Sequence, residues 1–197
     1  RNDSDTLEGQ ISAYYNVSTD YQMFVGVQPL QYLQNVGEVT AQGIDLKLRA
    51  KPTDELGVTV GLGYNRTRFT DYSNPVTPYV DLTGNTVPYA PRFTANLMVD
   101  YRFDLENGRG ALIPYAGVSY LSETYFDETN TIGQNGYALV DLGVKWELNE
   151  QIAAEAFVTN LFDKTYTTYG FNAGPQYGNV YQLGQGRAVG ARLNMTF

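Results

Sequence analysis

The feature that most constrains this chain is strict period-two alternation, held over runs too long for an ordinary soluble strand. Leu7, Gly9, Ile11, Ala13, Tyr15 and Val17 alternate with Glu8, Gln10, Ser12, Tyr14 and Asn16. Ile44, Leu46, Leu48 and Ala50 alternate with Asp45, Lys47 and Arg49, and Leu56, Val58, Val60, Leu62 and Tyr64 do the same. Phe93, Ala95, Leu97, Val99, Tyr101 and Phe103 alternate with Arg92, Thr94, Asn96, Asp100 and Arg102. Weaker versions cover Leu112–Tyr120, Val140–Leu148 and Ile152–Val158, and a last one runs through Val189, Ala191, Leu193, Met195 and Phe197. Successive side chains of a strand point to opposite faces, so this pattern predicts eight strands, each apolar on one side only. Apolar spacing at helical period is not sustained anywhere.

A soluble β-sandwich also alternates. Two features favour a membrane barrel instead. Several runs reach the roughly nine to eleven residues a membrane strand needs, where soluble strands usually have about five or six. The connections also alternate in length. Lys51–Glu55, Asp104–Arg109 and Asn149–Gln151 are short turns, whereas Val27–Val36, Asp71–Tyr89, Leu121–Gly136 and Asp163–Gly186 are long loops. Outer-membrane barrels have short periplasmic turns and longer extracellular loops. With that orientation, Tyr15, Tyr64 and Tyr120 fall at the outer interface, and Tyr101, Phe103, Trp146 and Phe197 at the inner one. These are two aromatic belts where amphipathic rings prefer to sit. The opposite face, with Ser12, Asp45, Lys47, Arg49, Thr59, Asn96, Asp100, Asp141, Lys145 and Glu155, is the expected lumen. An Arg or Lys turned to lipid at mid-depth would cost about 2–4 kcal/mol.

Composition removes whole classes of function. The 197 residues contain no Cys and no His, so there is neither a disulfide framework nor an imidazole base. No catalytic constellation is visible, and the chain is read as a non-enzyme without a cofactor or metal. A net charge of −8 argues against a nucleic-acid partner. No apolar run approaches the eighteen or so residues of a membrane helix, which says nothing about membrane strands. The polar start Arg1–Asp5 lacks a signal peptide, so an internal start within a longer protein is the preferred expectation.

Asn160-Leu161-Phe162-Asp163-Lys164-Thr165-Tyr166 resembles the "N-L-F-D-K-x-Y" signature near the end of TonB-dependent receptors. Asn35-Val36-Gly37-Glu38 with Gly43-Ile44-Asp45-Leu46 resembles that family's "N-x-G-x…G-(V/I)-E-L" strand. Pro88-Tyr89-Ala90-Pro91-Arg92-Phe93-Thr94-Ala95-Asn96-Leu97 resembles its "P-x-x-P-x-H/F-x-x-N-L" segment, with Phe93 where many members carry His. The terminal run Leu193, Met195, Phe197 resembles the signal read by the barrel-assembly machinery. The resemblance covers nearly the whole chain. It implies the last eight strands of a 22-stranded barrel, without the plug domain or the box that contacts TonB. It also implies uptake of a scarce nutrient, most often a ferric siderophore. The partners implied are outer-membrane lipid, the plug and upstream strands of the receptor, TonB and the assembly machinery. The alternative is a self-contained eight-stranded barrel with a structural or adhesive role. Gly57, Gly61 and Gly63 would permit the tight curvature of self-closure, whereas the charges of residues 45–49 suit a wide, wet lumen.

Exposed aromatics in the long loops are the substrate-capture candidates: Tyr72, Tyr79, Tyr125, Phe126, Tyr169, Phe171 and Tyr177. Asp127 and Glu128 could bind a cation, although adjacent loop acids are usually solvated. Asp104–Gly108 loosely resembles a calcium loop and reads better as a turn.

Overall fold

The computed structural model describes residues 6–27, 30–72 and 80–196. Among these residues fifteen strands occur in chain order: β1 (Leu7–Ser18), β2 (Gln22–Val27), β3 (Leu30–Asn35), β4 (Gly37–Ala50), β5 (Leu56–Tyr72), β6 (Phe93–Tyr101), β7 (Phe103–Asp104), β8 (Ala111–Leu121), β9 (Thr124–Tyr125), β10 (Gly133–Gln134), β11 (Tyr137–Glu147), β12 (Ile152–Thr159), β13 (Thr167–Asn172), β14 (Asn179–Leu183) and β15 (Ala188–Met195). One antiparallel meander runs β1-β4-β5-β6-β8-β11-β12-β15, with β7 continuing β6 beside β8. These eight long strands are the eight that alternation predicts.

Cross-strand register sorts the two faces. One row reads Gly9, Leu48, Val60, Leu97, Val118 and Val140. The next row reads Gln10, Lys47, Gly61, Asn96, Ser119 and Leu139. Among the described residues no second sheet covers the apolar rows: Ile11 remains 73% exposed and Leu97 41%. A sandwich would bury them, so this face is the lipid face. Tyr64 meets Phe93 at 5.1 Å in one belt, and Tyr101 meets Phe103 at 4.5 Å in the other.

The inner face is held by polar cross-strand pairs. Arg192 approaches Glu155 at 3.2 Å, and the Tyr115 hydroxyl donates to the same carboxylate at 2.7 Å. Glu147 receives Arg102 across the sheet at 2.7 Å and Lys145 of its own strand at 2.6 Å. Inner-face glycines sit beneath large neighbours. A Cβ on Gly143 would lie 2.3 Å from the Tyr115 ring, and one on Gly57 would lie 2.6 Å from Asp100. This corrects the expectation that Gly57 and Gly63 serve curvature, because each makes room for a side chain of β6.

Among the described residues the sheet does not close on itself. β1 pairs only with β4, and β15 only with β12. The eight strands therefore do not form the self-contained barrel considered above.

Three further differences from the sequence reading stand out. β4 and β5 run to 14 and 17 residues, well past the aromatic belt. Beyond Tyr64 the polarity of β5 inverts: Arg66 and Arg68 continue the outward register opposite Gln42 and Thr40, while Phe69 turns inward. There Phe69, Val36, Val39, Tyr72 and Val87 form the main buried apolar cluster. Second, the strand read as Phe93–Phe103 breaks at Arg102, whose amide donates to the Glu55 carbonyl and whose guanidinium holds Asp104 at 2.8 Å. Asp104 thus ends β7 with its carboxylate on Arg102, and the chain then turns tightly through Glu106–Gly108, with Asn107 at φ 62°, rather than forming a calcium loop. Third, three of the long loops contain hairpins, β2–β3, β9–β10 and β13–β14.

Candidate extracellular binding site

The loops at the outer end build one cup of about 800 Å³ above the lumen side of the sheet. Its frame is polar and local. Asp127 accepts from the Ile132 amide at 2.7 Å, from the Thr131 amide at 3.0 Å and from the Thr131 hydroxyl at 2.8 Å, and it also accepts from the Thr129 hydroxyl. Such side-chain capture of nearby amides is what Asp does in turns. Burial pushes the Asp127 carboxyl up, but these bonds outweigh it and hold it below the usual carboxylate range. The carboxylate is filled by its own loop, so it is not a ready cation ligand. Burial, with Asp127 alongside, pushes the Glu128 carboxyl up.

Adjacent loops are zipped together by side chains that imitate backbone. Asn130 (φ 57°) donates to the Thr86 carbonyl at 2.8 Å and accepts from the Thr86 amide at 2.9 Å. Asn85 donates to the Glu128 carbonyl at 3.0 Å. The Thr167 amide donates to the Gln134 side chain at 2.8 Å, tying β13 to β10.

On this frame sits a line of rings. Tyr89 (φ 63°) lies 5.5 Å from Phe126 and stacks on Tyr169 at 6.2 Å with an interplanar angle of 7°. Tyr169 meets Phe171 at 5.7 Å. Gly170 makes room for the Phe126 ring against β13: a Cβ there would lie 2.9 Å from that ring. Burial, with Tyr169 as a lesser cause, pushes the Tyr89 phenol up to about 12, so it stays a neutral hydroxyl.

Of the residues singled out from sequence, Phe126, Tyr169 and Phe171 line the cup. Tyr125 stands just behind it, its carbonyl accepting from the Tyr89 amide and its hydroxyl donating to Glu123 at 3.0 Å. Tyr72 closes β5 inside the buried cluster, against Phe69 at 5.1 Å, rather than in a loop. Tyr177 is 71% exposed at the tip of the β13–β14 hairpin; Gly174, Pro175 and Gly178 beside it line the cup, whereas Tyr177 does not. Tyr79 lies outside the described residues. Sequence reasoning missed Tyr21, Phe24 and Tyr89. Tyr89 was in view as part of the Pro88–Leu97 segment, and its place directly after a proline at a loop end was the signal available.

The Asn160–Tyr166 segment is a separate device at the start of the last long loop. Asn160 is buried (φ 48°), and its amide donates to Asp141 at 2.8 Å. Its side-chain amide donates to the carbonyls of Lys164 at 2.9 Å and Gln185 at 3.1 Å. Asp163 (φ 52°) accepts from the Arg187 amide at 2.8 Å. Tyr166 stacks on Tyr137 at 4.7 Å and covers Gly184. Leu161 is half-buried, its amide donating to the Val140 carbonyl, and Phe162 projects outward, 75% exposed. The motif thus clamps both ends of the loop that carries Tyr169 and Phe171. Leu193 and Met195 stand exposed on β15, and Phe197 lies outside the described residues.

Comparison with known proteins is consistent with this architecture. Residues 2–161 match the family model described as TonB dependent receptor-like, beta-barrel. The pesticin receptor of Yersinia pestis is 30% identical over 188 residues, covering 95% of this chain and 26% of the relative. The ferrioxamine receptor of Yersinia enterocolitica is 31% identical over 144 residues, covering 70% of this chain and 19% of the relative. The crystal structure of the ferric yersiniabactin uptake receptor FyuA from Yersinia pestis superposes with a TM-score of 0.81 at 28% identity, covering 99% of this chain and 28% of that one. The chain therefore spans about a quarter of the length of the curated relatives it matches.

Proposed function

The chain belongs to the TonB-dependent receptor-like β-barrel family of the Gram-negative outer membrane, and from that premise we propose that it forms part of the wall and extracellular mouth of a receptor for a ferric siderophore, with uptake energised through TonB. Residues 1–197 would supply the C-terminal part of the barrel domain, with the plug and upstream strands coming from the rest of the receptor. The relatives are receptors rather than enzymes, and this chain is a receptor component, not an enzyme.

The observation that carries the reading is the ring-lined cup over the lumen. Ligand sites are concave and mostly apolar, with a few convergent polar groups. Tyr169 stands exposed, Phe171 half-buried and Phe126 buried along the cup wall, on a frame tied down at Asp127, Asn130 and Gln134. A rigid aromatic surface binds at low entropic cost.

The test is uptake of radiolabelled ferric siderophores by iron-starved cells that depend on this protein. Uptake should require the proton-motive force and TonB. Phe126→Ala combined with Tyr169→Ala should weaken binding by about ten- to a hundredfold, as expected for truncated aromatic hot spots, while leaving the amount in the membrane unchanged. Uptake that persists without TonB would refute active transport, and unchanged binding would refute the cup.

A further inference from the structure

We infer that the cup selects ferric chelates of neutral or positive charge with an apolar surface, the hydroxamate class, and rejects multiply anionic ferric catecholates; this rests on the siderophore reading above. Its charged lining residues are Asp127 and Glu128, and among the described residues no Lys or Arg lines it. The rest of the lining is largely rings and small or hydroxyl-bearing residues, including Tyr89, Phe126, Tyr169 and Phe171.

The nearby cations are directed elsewhere. Arg66 and Arg68 sit in the outward register of β5, opposite Gln42 and Thr40. The Arg187 guanidinium reaches the Leu161 carbonyl at 3.5 Å, in the clamp under the last loop. Asp127 is held in its ionised form by its loop, so its charge persists however the cup is filled. The Glu128 carboxyl has no side-chain donor among the described residues, leaving it to answer a ligand's charge. An anionic chelate entering here would lose hydration and meet like charge, and like-charge juxtaposition is an effective means of rejecting wrong partners. A cationic chelate gains from the same carboxylates and from ring faces, whose quadrupole attracts positive charge.

The test compares binding of ferrioxamine B, ferrichrome and ferric enterobactin to the full receptor in detergent, by fluorescence quenching, with uptake measured in cells. The hydroxamate chelates should bind at least about tenfold more tightly than the catecholate. Glu128→Gln should narrow that ratio, and raising the salt on the unaltered protein should narrow it by less, because half-buried charges are screened less than exposed ones. Catecholate binding equal to or tighter than hydroxamate binding would overturn the inference while leaving siderophore uptake standing. So would a ratio indifferent to both Glu128→Gln and salt. If none of the three chelates is bound or taken up, it is the siderophore reading itself that fails.

Discussion

Asn160 and Lys164 are joined by a reciprocal pair of hydrogen bonds, the Lys164 amide donating to Asn160 Oδ1 at 2.8 Å and Asn160 Nδ2 donating back to the Lys164 carbonyl at 2.9 Å. One side chain thereby imitates an antiparallel backbone partner. It does so from a buried position and a left-handed backbone conformation that Asn tolerates better than most residues.

Asn160→Ala should therefore destabilise the loop base by about 2–4 kcal/mol, because it strands buried backbone groups and strains φ. Asn160→Gly removes the same bonds without the strain, and it should cost about 1 kcal/mol less. The temperature at which the folded barrel loses its compact electrophoretic mobility reports both. Equal losses in the two variants would show that the backbone conformation is not a constraint.

Tyr115 lies across Gly143 and donates to Glu155. Gly143→Ala should lower the yield of folded barrel, since the new methyl meets the ring. Tyr115→Phe should cost only about 1 kcal/mol, the ordinary value of one hydrogen bond. Adding Tyr115→Ala to Gly143→Ala should recover part of the loss, and a double-mutant cycle measures the coupling. Additive effects would mean that the ring and the glycine do not share that space.

The loop around Asp127 should loosen in acid. Its carboxyl is depressed in the folded protein, so the stabilisation is fully present above the unfolded value of about 3.9 and is lost as pH falls through the lower folded value. Pepsin cleavage within residues 127–132 should rise steeply toward the acid end of its working range. Asp127→Asn, which cannot ionise, should show cleavage that no longer steepens there. Identical profiles for the two proteins would remove Asp127 as the titrating group.

Leu193 and Met195 continue the outward face of β15 toward Phe197. Deleting Phe197 should reduce insertion into the outer membrane in cells and leave the thermal stability of the inserted fraction unchanged. Unaltered insertion would deny the terminal run a role as an assembly signal.

The membrane-spanning part of the fold was legible because lipid enforces a simple rule: apolar outward, at every second residue. That rule gave Ile11, Leu62, Leu97 and Val144 their correct face without any other information. It stopped at Tyr64 for a physical reason. Above the belt both faces of β5 meet water or protein, so the alternation changes phase and Phe69 packs inward. The loop hairpins were illegible for a related reason. All five residues of β14 are exposed, so no contrast between its faces is written into the sequence. Within the cup, Phe126, Tyr169 and Phe171 were legible because aromatics in long loops are conspicuous, although Phe126 is buried rather than exposed as the sequence reading has it. Tyr21 and Phe24 escaped because they come from a hairpin whose existence the pattern does not announce. Tyr72 was misjudged as a loop residue because β5 outruns the alternation that defined it.

The change of phase between Tyr64 and Arg66 acts as a waterline marked on the protein. Sinking β5 by one residue pair, roughly 6–7 Å, would draw Arg66 below the belt. The penalty for Arg or Lys grows from near zero at the interface to about 2–4 kcal/mol at the midplane. Raising the strand instead would lift Tyr64 and Phe93 out of the headgroup layer that suits them. The draught of the barrel is thus set within one strand, which fixes how far the loop hairpins stand above the lipid.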